Sequence, residues 1–218
     1  MNYWKYNAPF RNLFTIGLLL WLLGGAAGIY LFSKETLFFT FNHLHSYPGD
    51  IFFKYFTHAG DGLMMLALGI VLLGLGKRRL GILLLVSYIF SGLLAQAIKH
   101  AKPEPRPGLH FAQVDVIHSV DDNLLRANNS FPSGHTTTAF AMFSLLSFSV
   151  RNYTLQVLYL VLAFAVGFSR IYLGQHFFKD VWVGSLLGYS TSLFVFWIFR
   201  KQDFLFLRWN FKKNSSTL

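Results

Sequence analysis

Six long apolar blocks constrain this chain more than any other feature. They run over about 13–32, 62–76, 80–98, 132–150, 153–168 and 180–199. A helix needs about 20 predominantly apolar residues to cross a bilayer core of about 30 Å, and most of these blocks reach or approach that length. The expected fold class is therefore all-α: a polytopic membrane helical bundle with about six transmembrane helices. Composition agrees, because 13% of the residues are charged where soluble domains carry about 25%. The first block is too long for the core of a signal peptide, and no small-residue cleavage site follows it. No repeat, low-complexity stretch or linker divides the chain, so residues 1–218 read as one domain, with a core over about 57–199 and a basic tail at 200–218. Cysteine is absent, which excludes disulfides and thiolate metal sites.

The formal net charge is +10. The charges cluster at the ends of the apolar blocks, and no basic stripe interleaved with exposed aromatics occurs, which argues against nucleic acid. They fit a topology signal instead. The N-terminus, the turns at 77–79 and 151–152 and the tail together hold 11 Lys and Arg against one acid, Asp203, whereas the opposite side holds 8 against 8. Basic residues concentrate on the cytoplasmic side, so both termini are expected there, in a multi-pass protein of the cell (inner) membrane. The polar stretches 99–131, 132–135 and 169–180 then meet at the periplasmic or extracellular face. Between the first two blocks, residues 33–57 mix aromatics with charge, as in a segment lying at the membrane surface. His43, His45 and His58 in this region read as loop histidines. The pairs Gly24/Gly28 and Gly184/Gly188 predict close helix packing.

Three polar clusters carry candidate chemistry. In Ser169-Arg170-Ile171-Tyr172-Leu173-Gly174-Gln175-His176-Phe177-Phe178-Lys179-Asp180, a helical turn puts His176 and Asp180 on one face at i and i+4. The carboxylate can then hold one ring nitrogen and leave the other free to act as a nucleophile. Arg170 offers a fork of donors that suits phosphate. Pro132-Ser133-Gly134-His135 opens the fourth block, where the unpaired N–H groups of a helix start form an anion site. Lys99 and Arg106-Pro107 stand at the start of the long polar segment. Each cluster taken alone has a second reading: Ser133 as a plain helix cap, and His176 with Asp180 as a structural pair.

The joint pattern Lys-x6-Arg-Pro, Pro-Ser-Gly-His and Ser-Arg-x5-His-x3-Asp resembles the type 2 phosphatidic acid phosphatase superfamily, which includes the vanadium haloperoxidases. The resemblance is complete at the motif positions and covers about 57–199. It implies that His176 attacks phosphorus to give a phosphohistidine, with Asp180 holding the ring tautomer. It implies that His135 protonates the leaving oxygen and then activates water. Lys99, Arg106, Arg170, the Ser133 hydroxyl and the Gly134 amide would hold the phosphoryl oxygens. With three cations in place, no metal or other cofactor is implied, and a metal set of His135, His176 and Asp180 is disfavoured by the repulsion of those cations.

The expected function is a membrane lipid phosphatase acting on undecaprenyl pyrophosphate, lipid A, phosphatidylglycerol phosphate or phosphatidic acid. Its partners are then the lipid phosphate substrate and the bilayer itself. Residues 108–131, with Asp115, Asp121, Asp122 and Arg126, are the candidate segment for headgroup selection, and Lys102, His110 and His118 are candidates for holding a second phosphate. Two other readings are a vanadate-dependent haloperoxidase and a polytopic lipid transporter or binding protein that retains the phosphate pocket.

Overall fold

A computed structural model describes residues 9–111, 117–120 and 128–199. Asp115, Asp121, Asp122, Arg126 and the basic tail lie outside the described residues. The elements are α1 (Leu13–Leu31), α2 (Lys34–Asn42), α3 (Tyr47–Phe56), α4 (Gly62–Gly74), α5 (Arg78–Ala101), α6 (Pro107–His110), α7 (Gly134–Phe148), α8 (Tyr153–Tyr172) and α9 (Phe178–Phe199). Among the described residues all regular structure is helical, as the apolar blocks predict.

Among the described residues four helices, α1, α5, α8 and α9, are long and apolar enough to cross a membrane. A fifth apolar stretch of sufficient length is a bent pair, in which Tyr47–Gly60 meets α4 at 55°, as in a broken span or a re-entrant loop. The 13 residues of α4 rise only about 20 Å at 1.5 Å per residue, so the expected second block is too short alone. The aromatic segment before it, which reads from sequence as purely interfacial, supplies the rest of this stretch. α7 is shorter than the expected fourth block, at 15 residues, because Pro132 and Ser133 belong to its non-helical entrance and Ser149 and Val150 lie beyond its C-terminal end. It is the central helix, packed against α5, α8 and α9, and 11 of its 15 residues are buried. A helix enclosed by others meets protein rather than lipid along most of its length, so it need not match the hydrocarbon thickness.

Burial of oil-like side chains gives helices little reason to associate inside lipid, so small residues and internal hydrogen bonds carry the packing. Here the Gly184/Gly188 pair behaves as predicted: a Cβ on Gly188 would stand 2.1 Å from the Thr137 carbonyl oxygen, and one on Gly184 would stand 2.9 Å from that of Ser133. The Gly24/Gly28 pair does not. Nothing lies within 4 Å of a Cβ at Gly24 and only Leu37 of α2, at 3.9 Å, comes near one at Gly28, whereas Gly25 and Gly17 are covered closely by Trp182 and Leu160. The packing surface of α1 is thus offset by one residue from the pair that its spacing suggests. Hydroxyl pairs add specific contacts: Thr15 with Tyr189 at 3.0 Å, and Ser87 with Ser192 at 3.1 Å.

Candidate active site

Four helix ends meet at one end of the bundle, and each delivers part of the site. The last turn of α5 carries Lys99, α7 begins after Ser133, the last turn of α8 carries Arg170, and the first turn of α9 carries Asp180. The Ser133 amide donates to the Asp180 carbonyl at 3.1 Å, which ties the α7 entrance to the first turn of α9. Lys99 reaches across to the same place: its Nζ is 3.9 Å from where a Cβ on Gly134 would stand. An ammonium group therefore covers the positive end of α7, an arrangement that suits an anion lying between them.

Arg170 is 4% exposed. One terminal nitrogen donates to Thr57 Oγ1 at 2.6 Å and the other to Gln175 Oε1, while Nε has no hydrogen-bond partner among the described residues. The turn after α8 closes on the same residue. Its carbonyl accepts from the Gln175 amide at 3.0 Å and from the His176 amide at 3.1 Å. Gly174 makes this return possible with φ of 70°, in the left-handed region that glycine adopts without a Cβ clash. The nucleophile candidate and the phosphate-binding candidate are therefore fixed to one another through backbone.

His176 is 2% exposed and Asp180 1%. The expected i, i+4 pair is present, with His176 Nδ1 3.5 Å from Asp180 Oδ2. The same carboxylate oxygen accepts from the Phe177 amide at 3.0 Å and from the Ser130 hydroxyl at 2.5 Å. Burial holds the His176 imidazole well below the ordinary range, at about 4, although Asp180 pulls the other way. The ring is neutral at pH 7, as an attacking imidazole must be. Between about 4 and the ordinary value of about 6.5 the unfolded chain binds more protons than the folded one. Stability from this group is therefore complete above that window and falls as pH drops through it. Thermal unfolding in detergent should show a lower midpoint at pH 4.5 than at pH 7, and His176→Gln should flatten that slope. An unchanged slope would contradict the buried neutral ring.

The remaining candidates fall in the same place. The His135 ring, one residue into α7, is within electrostatic reach of Arg170, His176 and Lys99. Arg106 caps the short α6 and is within reach of Asp180, Lys99 and Arg170. Ser133 does cap α7: its Oγ accepts from the Thr136 amide at 3.4 Å and the Thr136 hydroxyl at 2.8 Å. That uses its lone pairs and leaves its own O–H proton for a ligand, so the two sequence readings of Ser133 are compatible. The candidates for a second phosphate are engaged by acids instead. Lys102 meets Glu104 at 2.9 Å, His110 meets Glu35 at 3.1 Å, and His118 meets Asp50 at 2.7 Å.

Sequence reasoning missed Ser130, Thr57, Gln175 and Thr136. Gln175 and Thr136 sit beside motif residues, so their polarity in an otherwise apolar setting was a usable signal. Thr57 lies 113 residues from Arg170, and nothing local marks it. Alongside the site, a cavity of about 380 Å³ runs from Lys99, Gly134 and His135 past Tyr88 and Gly92 to Ile89 and Leu93. Ile89 and Leu93 are 54% and 66% exposed on the outside of the bundle, so the cavity connects the polar cluster with the lipid-facing surface.

A membrane helix bundle with these three motifs joined at one end defines a class, and comparison with known proteins agrees. A family model described as the PAP2 superfamily matches residues 80–204. The chain belongs to the PAP2 superfamily, in its branch of integral-membrane lipid phosphatases. It is 35% identical over 149 residues to the bacitracin transport permease protein BcrC of Bacillus licheniformis, covering 66% of this chain and 69% of that protein. It is 32% identical over 127 residues to a lipid A 1-phosphatase of Rhizobium johnstonii, covering 58% of this chain and 51% of that protein. Among solved structures it resembles Aquifex aeolicus LpxE, with a TM-score of 0.67 and 27% identity over 77% of this chain and 97% of that one.

Proposed function

We propose that this protein hydrolyses the phosphomonoester or pyrophosphate of a membrane lipid through a phosphohistidine intermediate, at the periplasmic or extracellular face. The observation that carries this reading is the meeting of a buried His176, the Asp180 carboxylate and the Lys99-covered start of α7 at one end of the bundle. His176 Nε2 attacks phosphorus, the P–O bond to the lipid breaks, and His135 gives a proton to the leaving oxygen. His135 then takes a proton from water as that water attacks the phosphohistidine, which releases phosphate and restores His176. Lys99, Arg106 and Arg170, with the Gly134 amide and the Ser133 hydroxyl, stabilise the charge on the phosphoryl oxygens as it shifts in the transition state. The distribution of Lys and Arg supports the placement of this end outside the cytoplasm.

The cavity supports a lipid as the leaving group. Its inner end is at His135, which must reach the leaving oxygen, and its outer end opens among apolar side chains at the bundle surface. The candidate substrates are undecaprenyl pyrophosphate, lipid A, phosphatidylglycerol phosphate and phosphatidic acid, and the relatives include both a lipid A 1-phosphatase and a phosphatidylglycerophosphatase.

Phosphate release by purified protein in detergent, measured against these four lipids with EDTA present, tests the reaction. Activity that survives EDTA and favours one lipid is expected, and activity lost to EDTA would overturn the metal-free mechanism. Gly92→Trp tests the cavity in the same assay. Gly92 lines the cavity and nothing lies within 4 Å of a Cβ there, so a larger side chain at this position is expected to narrow it. Lipid turnover should fall by roughly tenfold or more while p-nitrophenyl phosphate, which has no tail, is spared. An equal effect on both would remove the tail from this cavity.

A further inference from the structure

We infer that Ser130 is a positioning residue for the nucleophile, a third member of what the sequence presents as a His176–Asp180 pair. The inference rests on the assignment of His176 as nucleophile made above.

The pair is only loosely in contact: Nδ1 and Oδ2 are 3.5 Å apart, farther than the 3.3 Å from Nδ1 to the Ser130 hydroxyl oxygen, and both exceed the usual range of about 2.7–3.2 Å. The Ser130 hydroxyl bridges the two groups, with its Oγ 2.5 Å from Asp180 Oδ2 and 3.3 Å from His176 Nδ1. A hydroxyl has one proton. At 2.5 Å from an ionised carboxylate, which can only accept, that proton lies on the line to Asp180. The contact with His176 must then run the other way, from Nδ1–H to the Ser130 oxygen. This chain of donors, Nδ1–H to Oγ–H to Oδ2, assigns the tautomer: Nδ1 carries the hydrogen, and the lone pair is on Nε2, where attack on phosphorus occurs.

The surroundings of Ser130 fit the role. It is fully buried, so water cannot replace its hydroxyl. Its amide donates to the Glu104 carbonyl at 2.8 Å, in the segment between Lys99 and Arg106, and it lies three residues before Ser133. Its position is therefore set by the two phosphate-binding segments, and its hydroxyl transmits that position to the third. No proton changes hands in this account. The hydroxyl orients the ring, and its dipole lets the Asp180 charge act on the imidazolium that forms when Nε2 bonds to phosphorus.

The test is Ser130→Ala in the full-length protein in detergent, with a short-chain phosphatidic acid and farnesyl pyrophosphate as probes. Steady-state kinetics, single-turnover phosphoenzyme formation and thermal unfolding are measured together. The expected result is a kcat lower by roughly 10- to 100-fold, the size of effect that misplaced reacting groups produce. KM should stay within about twofold, as for an interaction made in the transition state alone. Phosphoenzyme formation should slow by the same factor while the melting temperature holds. Ser130→Cys, of similar shape but with a weak donor, should reproduce the loss and serves as the test if the alanine variant does not fold. A kcat within about twofold of wild type overturns the inference. So does a loss in which KM rises and the melting temperature falls in parallel, which would leave Ser130 only a role in holding the loop. If His176→Ala retains activity, it is the nucleophile assignment that fails; if His176→Ala is dead and Ser130→Ala is unimpaired, only the present inference fails.

Discussion

Replacing His176 with alanine should abolish phosphate release, with a loss of about 10⁴-fold or more, because a covalent route disappears with its nucleophile. The companion His135→Ala should behave differently in a way that identifies both roles. With a lipid substrate the leaving alkoxide is a poor leaving group, and loss of its proton donor should slow the reaction by about 10²- to 10⁴-fold. With p-nitrophenyl phosphate the leaving group departs without protonation, so His176 is still phosphorylated. Water activation by His135 is then missing, and an acid-labile phosphohistidine should accumulate after a burst. His176→Ala should show neither burst nor trapped phosphate on any substrate. The assignment is wrong if His176→Ala keeps release within about tenfold of wild type, or if the trapped phosphate appears in that variant. The same pair of variants addresses transport, which the name of the BcrC relative raises. Flux of a lipid through a carrier does not need a nucleophile and would survive His176→Ala. The ionisable groups of the site gather at one end of the bundle, whereas carriers place theirs on broken helices near the midplane.

The part of this molecule that could be read from sequence is the part set by local chemistry. Continuous apolar blocks force helices, and the spacing of His176 and Asp180 puts them on one face of a turn, so the bundle and the pair were both predictable. The charged motif residues were legible for a related reason: Lys99, Arg106 and Arg170 are out of place in an apolar chain unless they have a partner. What could not be read depends on contacts between distant segments. The second apolar block reaches spanning length only together with α3 and the turn at 57–60, across a 55° bend, because α4 alone is too short. Thr57 enters the site only when that turn packs on α8, where it meets both Ser169 and Arg170. Ser130 stands in a polar segment full of candidates, and only the fold shows that its hydroxyl, and not those of its neighbours, lies between His176 and Asp180. The Gly24/Gly28 pair misled for the opposite reason: the spacing of small residues marks a surface able to pack closely, and does not say whether another helix comes to it.

Gly188→Val should be among the most damaging single changes outside the reacting groups. A Cβ at this position would stand 2.1 Å from the Thr137 carbonyl oxygen, 2.9 Å from the Ala141 amide nitrogen and 3.0 Å from the Thr137 carbonyl carbon. All three are backbone atoms of α7, so no rotamer change relieves the clash and the two helices must move apart. Overpacking a core costs about 1–3 kcal/mol where side chains can give way, and the cost here should exceed that range because they cannot. The displacement also reaches the site. α9 carries Asp180 at its start, and the Ser133 amide bonds to the Asp180 carbonyl, so separating α7 from α9 pulls the Pro-Ser-Gly-His turn away from the His176 segment. Gly24→Ala is the matched control, because nothing lies within 4 Å of a Cβ at Gly24 and alanine favours a helix over glycine by about 1 kcal/mol. In detergent, Gly188→Val should lower the yield of folded protein and abolish hydrolysis, while Gly24→Ala should leave hydrolysis intact and raise the melting temperature. If Gly188→Val melts like wild type and turns over substrate, the close seam between α7 and α9 is not the contact that holds the halves of this site together.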